Sequence, residues 1–319
     1  MELANLLAQE RGSPNTVRVA TQADAGAIMR LLKTAVFSHL HADWYLPGDW
    51  LGSPGFVLLP QAKKRTEGNN LVAKLFQNEP DILACLVATA DSLPVAWIRV
   101  AAFSRSNGAQ QILAHMVAQT IPPLKKQGVT QLAWLTVEEW PCQWLPTLGF
   151  YRGSQIETFV KKDRDFPDCV TVPGLTFRQV YSTDTSALAA LEAAAFAPMW
   201  RYSERALTIA RPQSLSFDVA LLDDVIVGFQ LSAGAESGAH LVRITIDPEK
   251  QGLGIGSALL RYAIEGYHRR GLYTVSLNTQ DDNLSSKKLY QRFGFKMAQR
   301  PLPVWMLDIG GNSGTTKTE

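Results

Sequence analysis

Between Ile244 and Ser257 the chain reads ITIDPEKQGLGIGS, a stretch suited to holding an anion against main chain. The apolar run 240–246 (HLVRITI) reads as a strand. Asp247-Pro248 ends it, because proline donates no ladder hydrogen bond and biases its neighbour away from helix. Gln251-Gly252-Leu253-Gly254-Ile255-Gly256 follows, and a helical pattern runs on from Ser257 (SALLRYAI). Strand, glycine-rich turn and helix start bring backbone N–H groups together at the positive end of a helix dipole. With three Cβ atoms missing, the main chain can lie directly against a diphosphate. Spacing narrows the ligand. The dinucleotide pattern G-x-G-x-x-G fails, since Ser257 stands where its third glycine would be. A P-loop fails as well, since no lysine follows Gly256. What remains is Q-x-x-G-x-G, carried by Gln251, Gly254 and Gly256.

A second constellation lies downstream as Asn283-x-x-Ser286-x-x-x-Tyr290-x-x-x-Gly294-Phe295. Two helical turns separate Asn283 from Tyr290, so the spacing places both on one helix face. Asparagine here is also a plain N-cap, and the two roles are compatible. Tyr290 is either a core aromatic beside Leu289 and Phe293 or a neutral phenol able to supply a proton. Taken together, the two motifs resemble those of the GNAT N-acetyltransferase superfamily, with Ser286 where that family's signature has alanine.

The resemblance implies acetyl-CoA as co-substrate and an amine as acceptor, with direct attack in a ternary complex. The diphosphate would rest on residues Gln251, Gly252, Leu253, Gly254, Ile255, Gly256 and Ser257. Asn283 and Ser286 would meet the coenzyme A arm. Ile244, Thr245 and Ile246 would offer main-chain groups to the pantetheine and the thioester carbonyl, where N–H donors stabilise an oxyanion. Tyr290 would be the general acid that protonates the departing thiolate. The base stays open between Glu236, His240 and a water relay. In ribosomal-protein alanine acetyltransferases a glutamate lies five residues before the motif asparagine, where this chain has Asn278. Met199-Trp200-Arg201-Tyr202, just past the first helix of this half, is a candidate for acceptor contact. Alternative readings are a protein N-terminal or lysine acetyltransferase, and an acyl-CoA-binding sensor without turnover.

The elements that must position these residues repeat along the chain. Arg178 and Asp184 follow Arg18 and Asp24 by 160 residues, each pair framing a strand and the start of a helix. A hairpin at 86–98 matches one at 218–230, an offset of 132. A basic helix end with a glycine stop recurs from Gly128 to Gly271, an offset of 143. Leu148-Gly149-Phe150 recurs as Phe293-Gly294-Phe295, an offset of 145, which puts Leu145 opposite Tyr290. Ordered landmarks with drifting offsets argue for duplication followed by insertion and deletion. These offsets predict about 28 extra residues in the first copy around Gly48 to Asn70, and about 11 fewer where the second copy has its glycine loop. The first copy therefore reads as a degenerate one without a cofactor site. We expect two tandem GNAT-like α/β domains, each a mixed twisted sheet with helices on both faces. The first spans 1–160 and the catalytic one 175–309, with a linker at 161–174 and a tail at 310–319. Tandem copies with one eroded resemble the arrangement of the mycothiol synthase family.

Composition sets outer limits. The 319 residues are 46% hydrophobic and 19% charged with a net charge of +2, which fits a globular chain of two cores. Charges are scattered, so neither nucleic acid nor membrane is expected as a partner. Residues 1–15 read as a loose leader without a signal or membrane segment, and a cytoplasmic monomer or homodimer is expected. Cys85, Cys142 and Cys169 are too widely spaced for a disulfide framework or a metal site, so no metal is expected.

Overall fold

The computed structural model describes residues 16–61, 82–235 and 238–310. The expected leader, the part of the expected insertion from 62 to 70, Glu236 and the tail from 311 lie outside the described residues. The chain divides into two compact units, Met1–Tyr151 with Trp305–Glu319, and Arg152–Val304.

Unit 1 runs β1 (Arg18–Val19), α1 (Ala25–Thr34), β2 (Phe37–Leu40), β3 (Phe56–Pro60), β4 (Ile82–Ser92), β5 (Val95–Phe103), α2 (Ala109–Lys126), β6 (Gln131–Leu135) and α3 (Glu139–Trp144). Then follow β7 (Tyr151–Lys161), β8 (Leu175–Gln179), α4 (Thr185–Ala195), α5 (Glu204–Ala210), β9 (Ser216–Leu222), β10 (Val225–Ala235) and β11 (Gly238–Ile246). The chain closes with α6 (Ile255–Arg269), β12 (Thr274–Gln280), α7 (Leu284–Arg292), β13 (Lys296–Met297) and β14 (Leu302–Asp308).

In unit 2 the strand order is β7-β12-β11-β10-β9-β8, with β13 on β7. Neighbours are antiparallel except β11 and β12, which run parallel. The β9–β10 turn is made by Asp223 and Asp224, both left-handed at φ 50° and 62°. Those are the conformations a tight hairpin turn requires, and short polar side chains tolerate them. Helices cover both faces. On β11, the Thr245 side chain meets Glu192 of α4, while the next residue, Ile246, meets Gly256 of α6. Pairing of β11 with β12 stops at Leu241 opposite Leu277. Beyond it, residues 242–246 have no strand partner on that side, and the sheet splays.

Unit 1 repeats this plan as β1-β3-β4-β5-β6-β14, with β5 and β6 parallel. Ladder registers align the two copies. Leu58 pairs with Arg18 and Cys85, as Val219 pairs with Arg178 and Phe229. Leu86 pairs with Ala101, as Gln230 pairs with Ile244. The offset is thus 161 on β3/β9, 144 on β4/β10 and 143 on β5/β11. The hairpin match at 132 is corrected. It set β4–β5 against β9–β10, whereas the structure sets them against β10–β11. The first copy's surplus is 17 residues, between β3 and β4, and its turn before the long helix is shorter by only three. Left-handed Gly108 at the start of α2 stands where Gly254 stands before α6.

The units also differ from the expected division. Residues of β7 pair with β12 from Val275 to Gln280, inside unit 2. The chain from Trp305 belongs to unit 1, where Ile309 and Gly310 donate to the Thr130 carbonyl at 2.8 and 2.9 Å and Trp305 joins the core. The expected linker is a fastened strap. Buried Lys161 holds Asp163 and donates to the Asp165 carbonyl, Arg164 lies 3.6 Å over the Tyr273 ring, and Val170 and Val172 stand beside Gly254. No helix among the described residues is long and apolar enough to cross a membrane.

Candidate active site

Two left-handed glycines precede α6, Gly252 at φ 82° and Gly254 at φ 88°. An L side chain at either position is strained. Asp247 accepts the Glu249 N–H at 3.0 Å, and Gln251 Nε2 reaches the Ile246 carbonyl at 3.4 Å, so the loop is tied to the strand it leaves. The first-turn N–H groups of a helix have no partner within it. Here the main chain of Gly254 and Gly256 borders a cavity of about 740 Å³, while the Ser257 N–H is given to the Gly254 carbonyl at 3.1 Å. One wall is Gly252, Gly254, Gly256 and Ser257, and another is Ile244, Thr245 and Ile246 on the unpaired edge of β11. Lys250, Lys288 and Arg292 add three cationic side chains to the lining, and Arg292 hydrogen-bonds Ser257. This donor set fits a phosphorylated ligand with an extended arm: amides and cations for the phosphates, an open strand edge for the arm. Two loop residues take other places. Leu253 points out at 52% exposure, and Ile255 is buried in the core below.

Asn283 caps α7, its Oδ1 accepting the Ser286 N–H at 3.1 Å, and both residues line the cavity. Tyr290 does not line it. Its ring is buried with centroids 6.5 Å from Phe159 and 5.9 Å from Phe295, and its hydroxyl meets Ser286 one turn earlier. Burial pushes the phenol up to about 12, against opposing pulls from Ser286 and Arg243. The group is therefore protonated at neutral pH, with Ser286 between it and the cavity.

Of the base candidates, Glu236 is outside the described residues. His240 sits on β11 with Nδ1 2.8 Å from the Ser276 hydroxyl, and burial lowers its pKa. It does not line the cavity, nor does Asn278, which accepts from Thr158 at 2.9 Å. Within the Met199–Tyr202 segment, Trp200 reaches the cavity wall. Tyr202 instead joins a network that the motifs did not announce. Glu192 on α4 is fully buried. It accepts from Thr245 Oγ1 at 2.6 Å and from the Tyr202 N–H at 3.0 Å, and Arg243 Nε lies 3.5 Å away. The Arg243 guanidinium is sandwiched between Phe196 and Tyr202, at 4.4 and 4.5 Å. A faint signal existed. Glu192 follows Leu188 by four, which puts a carboxylate on the apolar face of its helix. Among the described residues no cluster of His, Cys, Asp or Glu is placed to hold a metal.

Comparison with a family model falls on the same half. Residues 180–295 match the model of the acetyltransferase (GNAT) family. A mycothiol acetyltransferase of Pseudarthrobacter chlorophenolicus is 32% identical over 148 residues, 42% of this chain and 46% of the relative. A ribosomal-protein alanine N-acetyltransferase of Salmonella typhimurium is 32% identical over 76 residues, 24% of this chain and 51% of the relative. Each match thus spans about half of the relative's length. A solved tandem GNAT protein from the clavulanic acid biosynthesis pathway superposes with a TM-score of 0.56 at 15% identity, covering 93% of this chain and all of that one, which shows the shared fold.

Proposed function

On the premise of the match of residues 180–295 to the acetyltransferase (GNAT) family, we propose that the chain is a GNAT protein that transfers an acetyl group from acetyl-CoA to an amine. The observation that carries this reading is the cavity, where the mouth of α6, three cationic side chains and the open edge of β11 meet. In this reading the loop from Gln251 to Ser257 and the side chains of Lys250, Lys288 and Arg292 hold the phosphates. Residues 244–246 align the arm along β11, and a main-chain N–H there steadies charge on the thioester oxygen. Asn283 and Ser286 meet the arm from α7. Acetyl-CoA, when bound, supplies an activated carbonyl. The amine nitrogen bonds to that carbon, the carbon–sulfur bond breaks, and the thiolate takes a proton delivered from Tyr290 through the Ser286 hydroxyl. The ammonium proton leaves to water, since His240 does not reach the cavity. The place of action is the cytoplasm, in keeping with three free cysteines.

The relatives support two readings of the acceptor class. A small-molecule amine fits the mycothiol acetyltransferase match and a peptide N-terminus fits the ribosomal-protein match. The longer of the two matches favours the small molecule. One observation favours a different reading, binding without turnover: Tyr290 stands behind Ser286 instead of on the cavity wall. Calorimetric titration with CoA, followed by a thioester-consumption assay over small amines and peptides, tests both. Tight CoA binding with amine-dependent consumption is expected. Binding with no consumption by any amine would leave the sensor reading, and no binding would remove both.

A further inference from the structure

A second cavity of about 550 Å³ lies in unit 2 beside the other end of α6, framed by Arg211, Arg269 and Arg270. Among the described residues none of these three arginines has a carboxylate within ion-pair distance. The cavity wall also carries Ser216 and Asp218 of β9, and Asp218 feels the charge of Arg270 and Arg269. Behind that wall runs a polar chain with no solvent contact. Gln230 Nε2 donates to Asp218 at 2.6 Å and to Ser216 at 2.9 Å, Ser232 donates to Gln230 Oε1 at 2.6 Å, and Tyr267 meets Ser232. Gln230, Ser232 and Tyr267 are each 0% exposed. Burying that many polar atoms costs desolvation that hydrogen bonds only offset.

The duplicated fold shows that this polarity is not a requirement of the architecture. At the offsets set by the ladders, Asp218, Gln230 and Ser232 correspond to Val57, Leu86 and Ala88 in unit 1, and Tyr267 corresponds to Leu124 because each carbonyl accepts the N–H groups three and five residues on at its helix end. The registers agree, since Val57 pairs with Leu86 as Asp218 pairs with Gln230. Those four counterparts are buried members of the unit 1 apolar core. One copy closes this place with hydrocarbon; the other spends the same volume on a hydrogen-bonded floor beneath an arginine rim.

We propose that this cavity is a second ligand site, distinct from the cavity at the start of α6, for a small hydroxylated anion. Its anionic end lies among Arg211, Arg269 and Arg270, and a ligand hydroxyl donates to Asp218. Planar guanidinium groups suit phosphate and carboxylate alike, so either group can form the anionic end. The Gln230 amide fixes the Asp218 carboxylate to receive the hydroxyl.

Titration calorimetry at low salt with glucose 6-phosphate, gluconate, glucose and inorganic phosphate tests the assignment. The two hydroxylated anions are expected to bind at least tenfold more tightly than glucose or inorganic phosphate, and the stronger of the two identifies the anionic group. Binding is expected to persist with CoA present and in Gly254→Asp. It should weaken at least tenfold in Arg211→Ala/Arg270→Ala, whose side chains are exposed, so that folding is spared. Asp218→Val/Gln230→Leu, which installs the unit 1 pair, should also abolish binding while melting stays cooperative. Equal affinity in the arginine variant, loss of binding in Gly254→Asp alone, or no binding by either hydroxylated anion would overturn the proposal.

Discussion

The two units meet one structural problem with opposite solutions. In each, the central parallel pair stops pairing partway, after Trp97 opposite Ala133 in unit 1 and after Leu241 opposite Leu277 in unit 2. That leaves a strand edge with unpaired main-chain groups, which are costly to bury unsatisfied. Unit 1 fills its edge from its own chain. On β5, the edge opposite β4 pairs with β2, from Phe37 opposite Phe103 to Leu40 opposite Val100. Phe37, Trp140 and Trp144 pack rings around that junction, with Phe37 and Trp144 centroids 5.0 Å apart. Unit 2 leaves the matching edge of β11 on a cavity. A degenerate copy is thus not merely one that lost a glycine loop. Its crevice is occupied by a strand, and the polar side chains of the other copy are replaced by apolar ones. Leu145 replaces Tyr290, Ala102 replaces Thr245, and Leu32 stands at the place of Glu192. The ion pair that opens each copy was kept, Arg18 with Asp24 at 2.7 Å and Arg178 with Asp184 at 2.7 Å.

Four measurements break or sharpen this contrast. The largest effect is expected from Gly254→Asp, which sets a carboxylate beside bound phosphate and strains a left-handed residue. CoA affinity should fall by about 100-fold or more, since like-charge repulsion and lost main-chain contact act together. Undiminished calorimetric affinity would place the coenzyme elsewhere, unit 1 included. Next, Tyr290→Phe should lower kcat by roughly 10- to 100-fold with CoA affinity changed less than about threefold, as for loss of a proton donor. Equal turnover would reduce Tyr290 to the core role its counterpart Leu145 plays.

Glu192→Gln comes third. It removes the charge facing Arg243 and should destabilise by about 1–3 kcal/mol, the usual penalty for an unbalanced buried group. A thermal melt reads this, and a shift below about 1 °C would show that the network is not integral to unit 2. Smallest are Asp24→Asn and Asp184→Asn. Arg18 and Arg178 hold these carboxyls below the ordinary carboxylate range, with the Thr21 and Tyr181 N–H groups adding to the effect. Each depressed carboxyl adds stability above its unfolded pKa of about 3.9, and that stability is lost as pH falls through the folded value. Because Arg18 is 46% exposed, solvent screening limits each pair to about 0.5–1 kcal/mol. The two variants should lose similar amounts at neutral pH and converge on the parent in acid. A clear asymmetry between them would mean that the shared opening motif does different work in the two copies.

What could be read from residues alone was local. The glycine loop, the Asn283 cap and the repeat of Arg-Asp openings are spelled out within a few positions, so short-range rules suffice. The hairpin offset failed because successive antiparallel strands of one meander look alike: apolar runs with an acidic turn suit β4–β5 against β9–β10 as readily as against β10–β11. Only ladder partners decide the register. Glu192, Arg243 and the side-chain role of Thr245 were missed for a related reason. Glu192 lies about 50 residues before the other two and meets them only when α4 lies across β11. The second cavity was invisible for the same cause, since Asp218, Gln230 and Tyr267 read singly as unremarkable strand and helix residues.

One consequence concerns how the polypeptide can be divided. Unit 1 includes Trp305 onward, yet most of β7, which lies between its α3 and the strap, belongs to unit 2. Cutting the gene at the apparent linker would give an amino-terminal piece lacking its closing strand and a carboxyl-terminal piece lacking the strand that shields β12. During synthesis the early half must wait, its sheet incomplete, until the final strand has left the ribosome.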